Sequence, residues 1–318
     1  MPASPYPDTS VARTRAFLRD RLGLPDGDGH GLPDSPHRFA DGGQYRIEIP
    51  SVEGPNALRA MYAAAAEFDV PIHRASQGSG IMLLTDNELD EMAALARERG
   101  IELSLFVGPR SGWDTGAMSV ASAGRVAAPK IRGMDQLVHA VDDVKRACDH
   151  GITSVLITDE GLLWVLDEMK RVGELPSDLI LKGSVMMAAS NPASIRLLAE
   201  AGMTTYNVPT DLSLPHLAAI RAATTIPLDI YIEVPDNIGG FIRHYDIAEI
   251  VRVAAPVYVK FGLRNAPDIY PAGTHLEPTA IALTRERVRR ARIGLDLLKR
   301  LAPESVMSPL PAPGEATT

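Results

Sequence analysis

Between residues 45 and 301 the chain repeats one unit eight times: a short β-branched run, a polar loop, then apolar residues at helical spacing. The predicted strands are YRIEIPSV, VPIHRAS, IELSLFVGP, TSVLITDE, DLILKGSV, TTYNVPT, PLDIYIEVP and PVYVKFGL. No hairpin signal joins consecutive runs and each is followed by a helix, which requires a parallel sheet. Eight such units in about 255 residues are the count and length of a (β/α)8 TIM barrel. An open doubly wound sheet is the main competitor, and no Gly-x-Gly-x-x-Gly follows a strand to support it. The expected architecture is therefore α/β: a single (β/α)8 barrel over 45–301 with an N-terminal helical extension. Residues 1–44 form that extension, a short basic helix in TSVARTRAFLRDRLGL and then a linker. The Pro- and Ala-rich stretch 302–318 is expected to be a disordered tail.

Side chains alternate between the two faces of a strand. In the seventh run Leu228, Ile230, Ile232 and Val234 share one face, while Asp229, Tyr231 and Glu233 share the other. In the eighth, Val257, Val259 and Phe261 oppose Tyr258, Lys260 and Gly262. The apolar faces must meet the helices, which sends the polar ones into the barrel. The same parity turns Arg46, Glu48, Glu102, Ser104, Lys182, Ser184 and Asn207 inward, and either His73 or Arg74. A structural barrel fills its interior with Val, Ile and Leu, so this one is unusually ionic. Closure sets strand eight beside strands seven and one, and parity thus predicts Lys260 between Glu233 and Glu48. Arg46, Glu102 and Asp229 are read as a satisfied structural network, and Glu48, Lys182, Glu233 and Lys260 as the candidate catalytic set.

The loops after the strands complete a candidate substrate site of His73, Arg110, Asn207, Tyr231, Gly239, Gly240, Arg264 and Asn265. Gly239 and Gly240 either bring backbone N–H groups to an anion or form a plain loop. Arg264 suits a carboxylate or phosphate, or else a salt bridge on the rim. Asp159 is read as the cap of the next helix, with Glu160 facing the cavity. The long loop after strand three, carrying Arg110, Trp113 and Lys130, is a lid or a dimer contact.

A divalent metal held by Glu48, His73, Glu160 and Glu233 is conceivable, although no HExxH-like spacing marks a site. No other cofactor is identified. Cys148 is the only cysteine, so neither a disulfide framework nor a cysteine-ligated iron–sulfur cluster is expected. With 32 basic against 40 acidic residues, a net charge of −8, nucleic acid and anionic membranes are poor partners. No signal core and no apolar span of membrane length is readable, and a cytoplasmic setting is expected. The oligomeric state is open, a homo-oligomer included.

Residues 182–233 resemble the peptidase U32 family. Asn191 and Ser194 match the Asn and Ser that open a helix in that family. Leu198 and Gly202 match the Leu and Gly that follow, and Leu212, Ser213 and Leu214 match the end of its Arg-Glu-Leu-Ser-Leu turn. Thr210 and Asp211 stand where the family has Arg-Glu, and Pro235, Asp236 and Asn237 stand where it has His-Gly and cysteines. Members acting on RNA or quinone precursors use four cysteines for an iron–sulfur cluster, which one Cys cannot supply. The resemblance implies a barrel with a U32-like core.

The leading expectation is an enzyme of lyase or isomerase type acting on a small anionic metabolite by non-redox acid–base chemistry. Lys260 serves as Schiff-base nucleophile or electrostatic anchor, Glu233 and Glu48 move protons, and Arg264 holds the substrate. The alternatives are a U32-type hydrolase with carboxylate-activated water, metal-assisted or not, and a non-catalytic ligand-binding barrel.

Overall fold

The computed structural model describes residues 9–22, 31–113, 119 and 121–311. Eight strands close into one parallel barrel in chain order. They are β1 (Tyr45–Pro50), β2 (Arg74–Gln77), β3 (Glu102–Phe106), β4 (Ser154–Ile157), β5 (Ile180–Gly183), β6 (Thr205–Asn207), β7 (Leu228–Glu233) and β8 (Val257–Phe261). The helices are α1 (Ser10–Leu22), α2 (Pro55–Phe68), α3 (Asp86–Arg99), α4 (Gly133–Asp149), α5 (Glu160–Arg171), α6 (Pro192–Glu200), α7 (Leu214–Arg221), α8 (Ile247–Ala254) and α9 (Glu277–Leu301). The (β/α)8 expectation holds. No helix among the described residues is long and apolar enough to cross a membrane.

Local sequence explains the helix ends. Thr85 and Glu88 form a reciprocal capping box at the start of α3, and Gly100 closes that helix at φ 64°. Asp159 caps α5 by accepting from the Leu162 amide at 3.0 Å. The outward strand residues Ile47, Ile49, Ile230, Val257, Val259 and Phe261 are completely buried against the helices. Phe261 presses on α9 at Gly294, where a Cβ would stand only 2.5 Å from its ring.

The N-terminal end of the barrel is closed by chain that composition assigns to linker and tail. Phe39 meets the Tyr258 ring edge-on at 5.4 Å, and the Arg46 guanidinium lies 4.2 Å from the Phe39 ring. Asp41 pairs with Arg46 at 2.9 Å. Ser308 is buried: its amide donates to Tyr45 O, and its hydroxyl joins Asp41 and Arg46. The expected disordered tail therefore needs correction for its first part, because these buried polar groups bind it down. The remainder, 312–318, and the linker residues 23–30 lie outside the described residues.

Truncation after Glu304 is expected to leave Arg46 and the Tyr45 carbonyl short of partners. Each buried polar group so stranded costs about 1–3 kcal/mol. Urea unfolding of the truncated chain should show a lower midpoint, and an unchanged midpoint would make the floor segment dispensable.

Candidate functional site

The barrel interior is an ion network organised on Glu48. Strand register sets Lys260 and Arg74 beside it on either side, and Arg74 is in turn opposite Glu102. Glu48 Oε1 takes Lys182 Nζ at 2.5 Å, the Ser76 hydroxyl at 2.6 Å and Lys260 Nζ at 3.0 Å. Arg74 reaches Glu48 at 3.3 Å, Asp229 at 3.0 Å and Glu102 at 2.8 Å, with its guanidinium 3.4 Å from the Tyr258 ring centre. Lys182 also meets Asp229 at 3.0 Å. Three carboxylates thus face three cations, all of them buried.

Burial opposes the charge on Glu48, yet Lys182, Lys260 and Arg74 together hold its carboxyl well below the usual range. For Lys182 burial wins and draws the ammonium down to about 8, with Asp229 and Glu48 opposing. Asn207 faces Lys260 Nζ with its amide oxygen at 3.1 Å and the Asp229 carbonyl with its nitrogen at 3.2 Å, the orientation that satisfies both groups. The Tyr231 ring lies 4.5 Å from Lys260 Nζ.

Above this network, at the C-terminal ends of the strands, a cavity of about 610 Å³ opens. Lys260, Asn207, Tyr231 and Arg110 line it, as do Ser76, Ser184, Phe106, Trp113 and Arg287. Glu48 and Lys182 lie beneath, out of the lining. A larger groove of about 710 Å³ runs along the outer wall past Tyr62, Arg99 and Leu295. The interior charges do not reach that groove, and in this fold chemistry belongs at the strand C-termini, so the mouth is the candidate site.

Several expected positions are corrected. Glu233 does not flank Lys260. A bulge in β7 pairs Tyr231 with Lys260 but Glu233 with Phe261, so Ile232 is the extra residue and Glu233 turns to the helix side. There Glu233 Oε1 accepts from the Arg264 amide at 2.9 Å, while Oε2 stands 3.7 Å from His244 and 3.8 Å from Arg290 on α9. His73 is fixed at the barrel floor between the Ile47 amide and Ser308 O, and Arg74 is the residue that points inward. Burial pulls the His73 pKa down to about 4.

Arg264 pairs with Asp236 at 2.7 Å and donates to Gly240 O, so it spends its guanidinium on the rim. Asn265 gives its amide to Asp236. The Gly239 and Gly240 amides donate to Asp236 O and Pro235 O, which leaves no anion nest. None of these four lines the cavity. Glu160 binds Lys130 at 2.7 Å, away from the barrel interior. The conceivable metal set of Glu48, His73, Glu160 and Glu233 is thereby dispersed over the floor, core, outer layer and rim. Among the described residues no cluster of three His, Cys, Asp or Glu side chains could hold a metal ion.

Residue-by-residue reading missed Arg287. It sits in RERVRRARIG on α9, where a buried arginine has the same sequence signature as its exposed neighbours.

No family model matches the chain, and no curated protein matches it in sequence. Among solved structures it is similar to a homocysteine methyltransferase from Escherichia coli, at 12% identity over 77% of this chain and 98% of that one, with a TM-score of 0.45. It is also similar to a truncated 3-deoxy-D-arabino-heptulosonate 7-phosphate synthase from Thermotoga maritima, at 13% identity over 85% and 94%, TM-score 0.44. A U32 peptidase aligns at 13% identity over 70% of this chain and 94% of its own, TM-score 0.41.

Two outcomes are expected. Glu48→Gln leaves three buried cations facing two acids and should destabilise by about 3–5 kcal/mol in urea unfolding, the range for a broken buried pair. A cost near zero would mean that the network does not depend on Glu48. The second concerns pH. The folded chain releases the Lys182 proton near 8 and the unfolded chain near the ordinary 10.5. Between these values the unfolded state binds more protons, so this group makes the fold more stable as pH rises through that window. At about 1.36 kcal/mol per pH unit the gain is at most roughly 3 kcal/mol. Stability curves for wild type and Lys182→Met should diverge there, and parallel curves would refute the burial argument.

Proposed function

We propose that this chain is a (β/α)8 enzyme of lyase or isomerase type, performing non-redox acid–base chemistry on a small carboxylate- or phosphate-bearing metabolite. One observation carries the reading: Lys260 reaches the mouth cavity and is also held from beneath by Glu48 at 3.0 Å. Of the four candidate catalytic side chains it alone lines the cavity, which makes it the group that meets substrate.

Its contacts are those of a cation: the Glu48 carboxylate, the Asn207 oxygen and the face of Tyr231. They suit an electrostatic anchor, a fixed positive charge aimed at an oxygen that becomes negative when a proton leaves the neighbouring carbon. Glu48 is a positioning residue. Lys182 adds an ammonium destabilised by burial, whose proton the network can release near pH 8.

A hydrolase of U32 type needs a cavity carboxylate free to activate water. Asp236 and Asp268 line the cavity, but the first is bound to Arg264 and Asn265 and the second accepts the Tyr270 amide at 3.1 Å. The proton acceptor of a lyase or isomerase would come from the same two acids, so the preference for that reading rests on Lys260, placed to stabilise a developing oxyanion.

The test is a thermal-shift screen of carboxylates and phosphate esters, since a ligand that binds the native state stabilises it. Hits are then followed by NMR for turnover and for exchange of a substrate C–H with deuterated water. At least one hit should react, and Lys260→Ala should slow it by about 10²-fold or more. Undiminished turnover in Lys260→Ala, or binding with neither turnover nor exchange, would overturn the proposal.

A further inference from the structure

Arg287 is 4% exposed, lines the mouth cavity and takes part in no ion pair of 4.0 Å or less among the described residues. Its Nη1 donates to Ser51 O at 3.1 Å, and its buried Nε has no partner. A guanidinium carries five N–H donors, and a buried one normally has them answered.

Arg221 shows how this molecule satisfies an arginine that is purely structural. It is equally buried and also lacks a carboxylate partner, but it spreads its donors over the carbonyls of Ala254, Thr224, Ile226 and Pro256. Arg287 has one such contact. Burial disfavours its charge, with Tyr270 and Glu53 compensating only through space. Arg110, in the same lining, repeats the pattern. Its guanidinium is sandwiched between Phe106 at 3.6 Å and Trp113 at 3.9 Å, it donates to Gly78 O, and its buried Nε is likewise unpartnered. The same Tyr270 and Glu53 act on both arginines.

We infer that Arg287 is the docking group for the acidic end of the substrate, an oxyanion with two coplanar acceptor oxygens. A carboxylate or a phosphate would supply the missing counter-charge and answer the idle donors, a geometry that guanidinium matches bidentately. Arg110 adds to the positive field on the same side, and an oxyanion fixed at Arg287 leaves the rest of the molecule to extend towards Lys260. This rests on the reading of the mouth as a substrate site, and it puts on α9 the anchoring role that Arg264 cannot fill.

The test titrates malonate and inorganic phosphate, each at matched ionic strength in sodium chloride, into wild type, Arg287→Gln, Arg287→Lys and Lys260→Gln, read by thermal shift and calorimetry. Gln keeps a donor for Ser51 O without the charge, so Arg287→Gln should melt within a few degrees of wild type in anion-free buffer. It should bind the stabilising anion at least tenfold more weakly, with Arg287→Lys in between. Whichever of malonate and phosphate binds tighter to wild type identifies the headgroup. Undiminished anion binding in Arg287→Gln alongside loss in Lys260→Gln would overturn this inference and leave the proposed function standing. No stabilisation of wild type by either probe would overturn it as well. If Arg287→Gln fails to fold, binding by Arg287→Lys equal to wild type would overturn it, and a clear loss there would uphold it.

Discussion

A carboxylate with no access to water holds this barrel together from the inside. Glu48 is fully buried and contacts Lys182, Lys260, Arg74 and Ser76, four side chains from β2, β5 and β8. Moving one such charge out of water costs several kcal/mol, and only close partners of opposite sign recover it. The arrangement therefore functions as a unit. Glu48 stays ionised because three cations surround it, and each cation tolerates burial because Glu48, Asp229 or Glu102 is near. A barrel packed with Val and Leu would achieve the same closure more simply, and on the proposed function the ionic interior serves the mouth above it.

The network ends differently at its two extremities. Its lower members are sealed by the floor of Phe39, Asp41, Arg46 and Ser308. At the top, Lys260 alone among the candidate catalytic residues emerges into the mouth. A positive charge rigidly positioned by buried partners is pre-organised, and pre-organisation is what lets a charge stabilise a developing anion without rearrangement. The cavity above adds Arg110 and Arg287, and its acids Asp236 and Asp268 are both engaged on the rim. Its unmet electrostatic demand is for negative charge.

The β7 bulge separates two roles that the linear chain places side by side. The end of β7 pairs antiparallel with the returning chain at Ile242, while the Ile232 carbonyl accepts the Arg243 amide. One inserted residue rotates Glu233 out of the barrel and into contact with the amide of Arg264, at the root of the loop after β8. Glu233 thus helps shape the mouth from outside, whereas Asp229, two residues before the last regular inward position, belongs to the interior network.

Periodicity alone determined the eight units, the parallel barrel and the inward direction of Glu48, Lys182, Asn207, Tyr231 and Lys260, because strand alternation and helical spacing are local properties of the chain. Four things were settled only by tertiary structure. The bulge that redirects Glu233 depends on a loop returning to pair with β7, and alternation carries no mark of it. The choice of Arg74 over His73, and the burial of Ser308, depend on which chain segment closes the floor. Arg287 shares its local pattern with a run of surface arginines, and only the packing of α9 against the loops after β1 and β8 buries it at the mouth. Burial and counter-charge are relations between distant segments, so a side chain's ionic role is fixed by what folds against it.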